Sequence, residues 1–331
     1  MRPSPRSSSV DEAAAQGDLD ELIRHVDRLT DEQDWTELVR LRDKAKAAIE
    51  RGFQLWPAAS YAEYRMALEA PGDWAAQMLV EGAGWMALGP LHEVAASTHH
   101  WADLTRHPGG AHALLAAHER VLRGEDLRGE LDDLPQIFDV PAVLQPWEPD
   151  YALATYKPAK AEFPSPPAPG PLPTLFGEPG PRVDDHTVDA ALTELAKTWA
   201  DESNGRLETI AVEGDAPSAV AALGLRRGRM VEITAGEAMA HMAWAAASGG
   251  AHGRRRGSAT GRARAWWAMT TLTGLDEAAE LHPDDLGQAA AELTWLWWDA
   301  AEPETGWSLR LAIADQTDGL AWAINAQDAT T

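Results

Sequence analysis

The sequence predicts a mainly α-helical chain with a small α+β part. An irregular array of helical hairpins comes first, followed by helices packed on a small antiparallel sheet that ends in a β-hairpin. Three observations carry this. From Asp18 to about residue 123, apolar residues recur at helical spacing between Gly and Pro breaks. Residues 135–181 hold 13 of the 22 prolines. Near the C-terminus, Leu309, Leu311 and Ile313 alternate with other residues, and Leu320, Trp322 and Ile324 do so again after Asp318-Gly319.

Composition bounds the function classes. The chain has 331 residues, a net charge of −24 and no cysteine. Such length favours two domains, and the missing thiols exclude disulfides, thiolate metal sites and a cysteine nucleophile. The acidic balance weighs against nonspecific binding to nucleic acid or anionic membranes, which requires clustered cations. The N-terminus lacks the apolar run of a secretory signal and no window has the length of a membrane span, so a cytoplasmic protein is expected. Fifteen tryptophans against four phenylalanines and four tyrosines are unusual; their large rings are expected mostly in the core.

Residues 1–16 read as a disordered tail and 17–134 as the helical domain. Leu22, Ile23, Val26 and Leu29 share a face of the first helix. A second runs from Trp35 to about Arg51, ended by Gly52 as a left-handed cap. Pro57 sits in the first turn of a third helix reaching Ala70. Pro71-Gly72-Asp73 breaks the chain, with Asp73 placed to cap a helix through about Val80. Gly82, Gly84, Gly89 and Pro90 punctuate the next connection, shorter helices follow over 91–106, and a last one covers 111–123. Six histidines (92, 99, 100, 107, 112, 118) cluster here, but their spacings do not match a helical metal pair or a His-Glu-x-x-His pattern. Exposed histidines and no metal are expected.

Residues 135–182 read as an extended proline-rich linker, since proline fixes φ and removes donors. The alternating prolines could also serve as a ligand for an aromatic groove.

Residues 183–331 read as the α+β domain. A helix spans Val183–Trp199 with Asp184 or Asp185 as cap, and a strand covers Leu207–Glu213. A short helix follows at Ala216–Leu223. Met230–Ile233 fits a strand or the start of the next helix, and Glu237–Ser248 is helical. Asp284-Asp285 caps a penultimate helix whose stripe is Leu286, Ala289, Ala290, Leu293, Leu296 and Trp297. In the final hairpin, pairing Ile313 with Trp322 and Leu311 with Ile324 keeps both apolar sets on one face and leaves the loop 316–319. Stacking of a sugar or base on Trp298 or Trp307 is a minor alternative to a core role.

One stretch concentrates unusual chemistry. Between Arg226 and Arg264 eight arginines stand against two acids. Gly249, Gly250 and Gly253 could present backbone N–H groups ahead of a helix beginning near Arg255, which is a favourable place for an anion. His252, Arg254, Arg255, Arg256 and Arg262 could add hydrogen bonds to a phosphate or carboxylate, with Arg255 and Arg262 aligned seven apart. Gly257, Gly261 and Ala265 form a smooth strip for a packed helix. The competing reading is that the arginines pair with acids of the same chain. Glu237, His241 and Arg264 are weaker candidates, the first two forming an i, i+4 pair more often structural than catalytic.

No nucleophile elbow, Walker loop or dinucleotide fingerprint is present, no catalytic residue can be assigned, and no cofactor is called for. The runs Leu55-Trp-Pro-Ala-Ala-Ser-Tyr-Ala-Glu-Tyr64 and His252-Gly-Arg-Arg-Arg-Gly257 resemble those of an uncharacterised family of bacterial proteins. That resemblance covers most of the chain outside the linker and implies no activity, cofactor or catalytic residue. The expectation is therefore a cytoplasmic protein-interaction or scaffold protein whose partner is another protein. The alternative is an enzyme or sensor binding a phosphorylated or carboxylated small molecule through 248–264, and a nucleic-acid-associated protein comes after both.

Overall fold

Helix formation begins earlier than the sequence led us to expect. In the computed structural model, which describes residues 9–170, 173–225, 227–276, 281–300 and 306–329, helix α1 spans Val10–Gln16. The tail reading gives way there for a local reason. Ser9 accepts from the Glu12 N–H, Gly17 closes the helix at φ +72, and Val10, Ala13 and Ala14 are buried. Residues 1–8, also expected in the tail, lie outside the described residues.

The helical array follows as α2 (Leu19–Asp31), α3 (Trp35–Ala47), α4 (Trp56–Glu69), α5 (Gly72–Ala75), α6 (Leu91–Thr98) and α7 (Ala111–Leu122). Asp18 and Asp34 cap α2 and α3 through the Glu21 and Glu37 N–H groups. Asp73 does not cap a helix through Val80. It lies inside α5, which tightens to a 3-10 turn ending at Met78, and its carboxylate pairs with Arg106.

The proline-rich stretch is more than a spacer. Two short strands, β1 (Thr155–Lys157) and β2 (Lys160–Glu162), pair within it, and β3 (Thr174–Phe176) joins the main sheet. Its aromatic residues explain the difference. Tyr156 is buried, and Trp147 and Tyr151 pack against the core of the second half, so burial competes with the extended preference of proline. The chain forms two compact units. The first holds the chain through Ile137 together with Ala154–Glu162; the second holds Phe138–Leu153 and the chain from Phe163 onward.

In the second unit the further elements are α8 (His186–Glu202), β4 (Arg206–Glu213), α9 (Ala216–Ala222), β5 (Arg227–Ile233), α10 (Ala235–Ala247), α11 (Ser258–Leu272), α12 (Pro283–Glu292), β6 (Thr294–Asp299), β7 (Gly306–Asp315) and β8 (Leu320–Ala329). Six strands form one antiparallel sheet in the order β3-β5-β6-β7-β8-β4. The hairpin register is as expected, with Ile313 opposite Trp322 and Leu311 opposite Ile324. Their face joins residues of α8, α10, α11 and α12 in one core, while Ala312, Ala314, Ala321 and Ala323 face α9 residues on the other side. Asp185, not Asp184, caps α8, and Met230–Ile233 is strand.

Boundaries of α8 and α10 shift by up to three residues from expectation, and two further differences change the element or its role. The helix expected as penultimate is α12, the last among the described residues, with His282 rather than Asp284 or Asp285 as its N-cap. It stops at Glu292, and Thr294–Asp299 is strand β6, with Trp295 opposite Ile313 and Trp297 opposite Leu311. β-Branched and aromatic residues fit a pleated sheet better than a helix, and sheet pairing overrides the helical stripe. The other difference is the start of α11, at Ser258 rather than near Arg255. Gly257 has φ +95, a conformation that ends helical continuity, and the Arg256 N–H donates to the Ala247 carbonyl.

Candidate interaction surface

The arginine–glycine stretch folds onto acceptors of its own chain. Arg262, on α11, donates from Nε and Nη2 to the two carboxylate oxygens of Glu148, both at 2.7 Å. Its remaining bonds go to the Pro141 and Val143 carbonyls at 2.8 and 3.2 Å. The side chains are 0% and 1% exposed. Burial pushes the Glu148 carboxyl up, but the Arg262 hydrogen bonds and charge outweigh it and hold the group below the usual carboxylate range. Arg262 thus fastens residues 141–148 to the helix.

The glycine loop also has an anion from its own chain. The Ala251 N–H donates to Asp328 Oδ2, and Gly250, at φ +78, lies so close to that oxygen that a Cβ would collide with it. Asp328 is buried on β8. A Cβ at Gly249 or Gly253 would strike the facing backbone of Arg254 or Gly249. The His252 N–H donates to Ser203 Oγ at 3.1 Å. Arg256 pairs with Glu202, and Arg255 stacks 4.9 Å over the Phe163 ring while donating to Ser258 Oγ. Because Arg255 precedes α11, it shares no helical face with Arg262. The His252 and Arg254 side chains are exposed.

The weaker candidates have structural surroundings as well. Glu237 completes a capping box with Thr234; hydrogen bonds from the Thr234 N–H and hydroxyl hold its carboxyl below the usual range. His241 is buried one turn on, and burial pulls its imidazole below the ordinary value against the opposing charge of Glu237. Arg264 lies 3.4 Å from Glu194, and burial lowers its pKa. The smooth strip holds at Gly261, whose missing side chain admits the Ala243 carbonyl of α10, while Gly257 lies outside the helix. Trp298 is fully buried beneath the Arg310 guanidinium and is no open platform, and the half-buried Trp307 packs with Trp199 and Trp244.

Histidines of the first unit also differ from expectation. His92 and His118 are buried, on α6 and α7, each followed by a fully buried glutamate. Glu93 accepts from the Tyr156 hydroxyl at 2.6 Å, and Glu119 from Arg123 at 2.8 Å. Among the described residues no group of three or more His, Asp or Glu is arranged to hold a metal.

The surface that sequence reasoning missed lies between α5 and α6 in the first unit. Val80, Trp85, Met86 and Leu88 are 40, 62, 56 and 43% exposed within nine positions. Large apolar groups concentrated in this way are uncommon on a monomer surface and mark interaction sites. The loop is pinned from beneath. The Gly84 N–H donates to Glu63 Oε2 at 2.7 Å, and the Met86 N–H to Ser60 Oγ at 3.2 Å. Glu63 is buried on α4, and its other oxygen pairs with Lys46 of α3. Gly84, at φ +67, lies against Leu91, and Gly89 against the Tyr156 ring. Trp56, also partly exposed, precedes Ser60 and Glu63 by four and seven positions and so shares their face of α4. The only sequence signal is a run of apolar residues among three glycines without any period.

Residues 20–329 match a family of unknown function (DUF6183), and the chain belongs to it. No curated protein and no solved structure matches the chain. Among the described residues no helix is long and apolar enough to cross a membrane.

Proposed function

We propose that this protein acts by docking a second, basic protein on the apolar loop 80–88. The observation that carries the reading is the combination of exposure and anchoring in that loop. Trp85, Met86 and Leu88 are exposed while the Gly84 and Met86 N–H groups are held by Glu63 and Ser60. A loop held in this way loses little conformational freedom on binding, which favours affinity. Tryptophan and methionine are also enriched at interface centres. The charge of −24 disfavours a second copy of the same chain and favours a partner with a basic rim around an apolar cleft. The arrangement of the 248–256 loop around Asp328 supports a structural role there and makes the small-anion reading the weaker one.

The test is native co-purification of the full chain at low salt, comparing the wild type with Trp85→Ser/Met86→Ser. A basic protein co-elutes in fixed ratio with the wild type and is absent from the variant, whose melting temperature is unchanged. Retention of the same partner by the variant, or no partner with the wild type, contradicts the proposal.

A further inference from the structure

In the second unit the segment 164–170 reads Pro-Ser-Pro-Pro-Ala-Pro-Gly. Four of its seven residues are proline, so four backbone N–H groups are absent and four φ angles are fixed near the polyproline II value. Neither helix nor strand forms there. Its flanks are held. On the N-terminal side the Phe163 ring lies under the Arg255 guanidinium at 4.9 Å. On the C-terminal side the Pro173 carbonyl accepts from the Met230 N–H at 2.9 Å, and β3 then pairs with β5.

Exposure along the segment has a period of three. Pro164, Pro167 and Gly170 are exposed, as are Ser165 and Ala168, whereas Pro166 and Pro169 are half-buried. A polyproline II helix has three residues per turn, so Pro164 and Pro167 lie on one ridge and Pro166 and Pro169 on another. The outward ridge is a proline pair separated by two residues, each preceded by an apolar residue (Phe163 and Pro166). A spacer needs no such division, because its length is the same whichever ridge faces out.

We infer that residues 164–170 are a displayed polyproline II ligand, read through Pro164 and Pro167 by a partner domain whose groove is lined with parallel aromatic rings. Rings of that kind pack on proline ridges, and indole or phenol donors reach the carbonyls between them. Because the flanks are fixed, little ordering remains to oppose binding. This site is independent of the apolar loop of the first unit and rests on a different observation.

The test uses the immobilised full chain and three purified probes with aromatic polyproline grooves, an SH3, a WW and an EVH1 domain, each up to about 1 mM. At least one probe binds the wild type. Pro164→Ala/Pro167→Ala weakens it by about tenfold or more, and Pro166→Ala/Pro169→Ala by less than about threefold. The outward pair is exposed, so its variant retains the wild-type near-ultraviolet tryptophan signal. Absence of binding by all three probes overturns the inference, as does equal loss in the two variants.

Discussion

Arg262 and Glu148, 114 positions apart, close a two-point ion pair with neither side chain reaching solvent. Residues 138–153 belong to the second unit, and this pair is one reason. Trp147 adds to it, lying 5.1 Å from the Trp266 ring and donating to the Pro283 carbonyl.

Removing one partner of a buried pair leaves the other charged and unsolvated, at a cost of about 3–5 kcal/mol. Arg262→Ala is therefore expected to lower the melting temperature of the second unit by roughly 10 °C. Replacing both residues, as Arg262→Met/Glu148→Leu, is expected to recover more than half of that loss. Calorimetry distinguishes this from a surface arginine, whose removal costs about 1 kcal/mol or less.

The same pair sets a pH dependence. The Glu148 carboxyl is held below the unfolded glutamate value of 4.5, so the folded state gains stability from its ionised form. That gain is complete above 4.5 and is lost as pH falls through the lower folded value. The stability difference between wild type and Glu148→Gln, measured by urea unfolding, is expected to be constant from neutral pH to about 5. Below that it shrinks steadily. A difference that grows on acidification would contradict the assignment.

Gly250 and Gly274 offer a controlled comparison. Both have positive φ, but a Cβ at Gly250 meets Asp328 Oδ2 whereas Gly274 faces open space. Gly274→Ala is expected to cost about 1–2 kcal/mol from backbone strain alone. Gly250→Ala is expected to exceed it by at least about 1 kcal/mol, since the Asp328 hydrogen bond to Ala251 is disturbed as well. Equal costs in chemical denaturation would mean that Asp328 does not fill the loop.

These residues also show how far the sequence was legible. The last hairpin was readable to the residue because a period-two pattern with one buried face admits a single parity. Strand β6 was not, since Leu293, Leu296 and Trp297 fit the helical stripe of α12 equally well, and only pairing with β5 and β7 decides. Arg262 stands out in the sequence as part of an arginine-rich stretch, but its partner is an acid 114 positions away that no local pattern marks. Arg255 aligns with it only if the helix begins at that residue, and the φ of Gly257, which sets the start of α11 at Ser258, is a tertiary property. The loop 80–88 carries no period at all, and its exposure follows from where Glu63 and Ser60 hold its backbone.

That anchoring is directly testable. Glu63→Ala removes the acceptor of the Gly84 N–H and leaves Lys46 without its buried partner. Hydrogen exchange in a peptide covering 80–89 is expected to quicken by about tenfold or more, a loss of about 1.4 kcal/mol of local protection. Peptides of β7 and β8 are expected to keep the wild-type rate. Unchanged exchange at 80–89 would show that the loop is held by other contacts.

The docking role of the loop is tested most directly by a photo-cross-linking amino acid placed at Met86 of the full chain in its native cell, with Asp318 in an exposed turn of the second unit as the control position. A single basic protein cross-linked from position 86 and absent from position 318 is the expected result, with the adduct lost when Trp85→Ser is added. An adduct of twice the chain mass, the same adduct from both positions, or none from position 86 would contradict it.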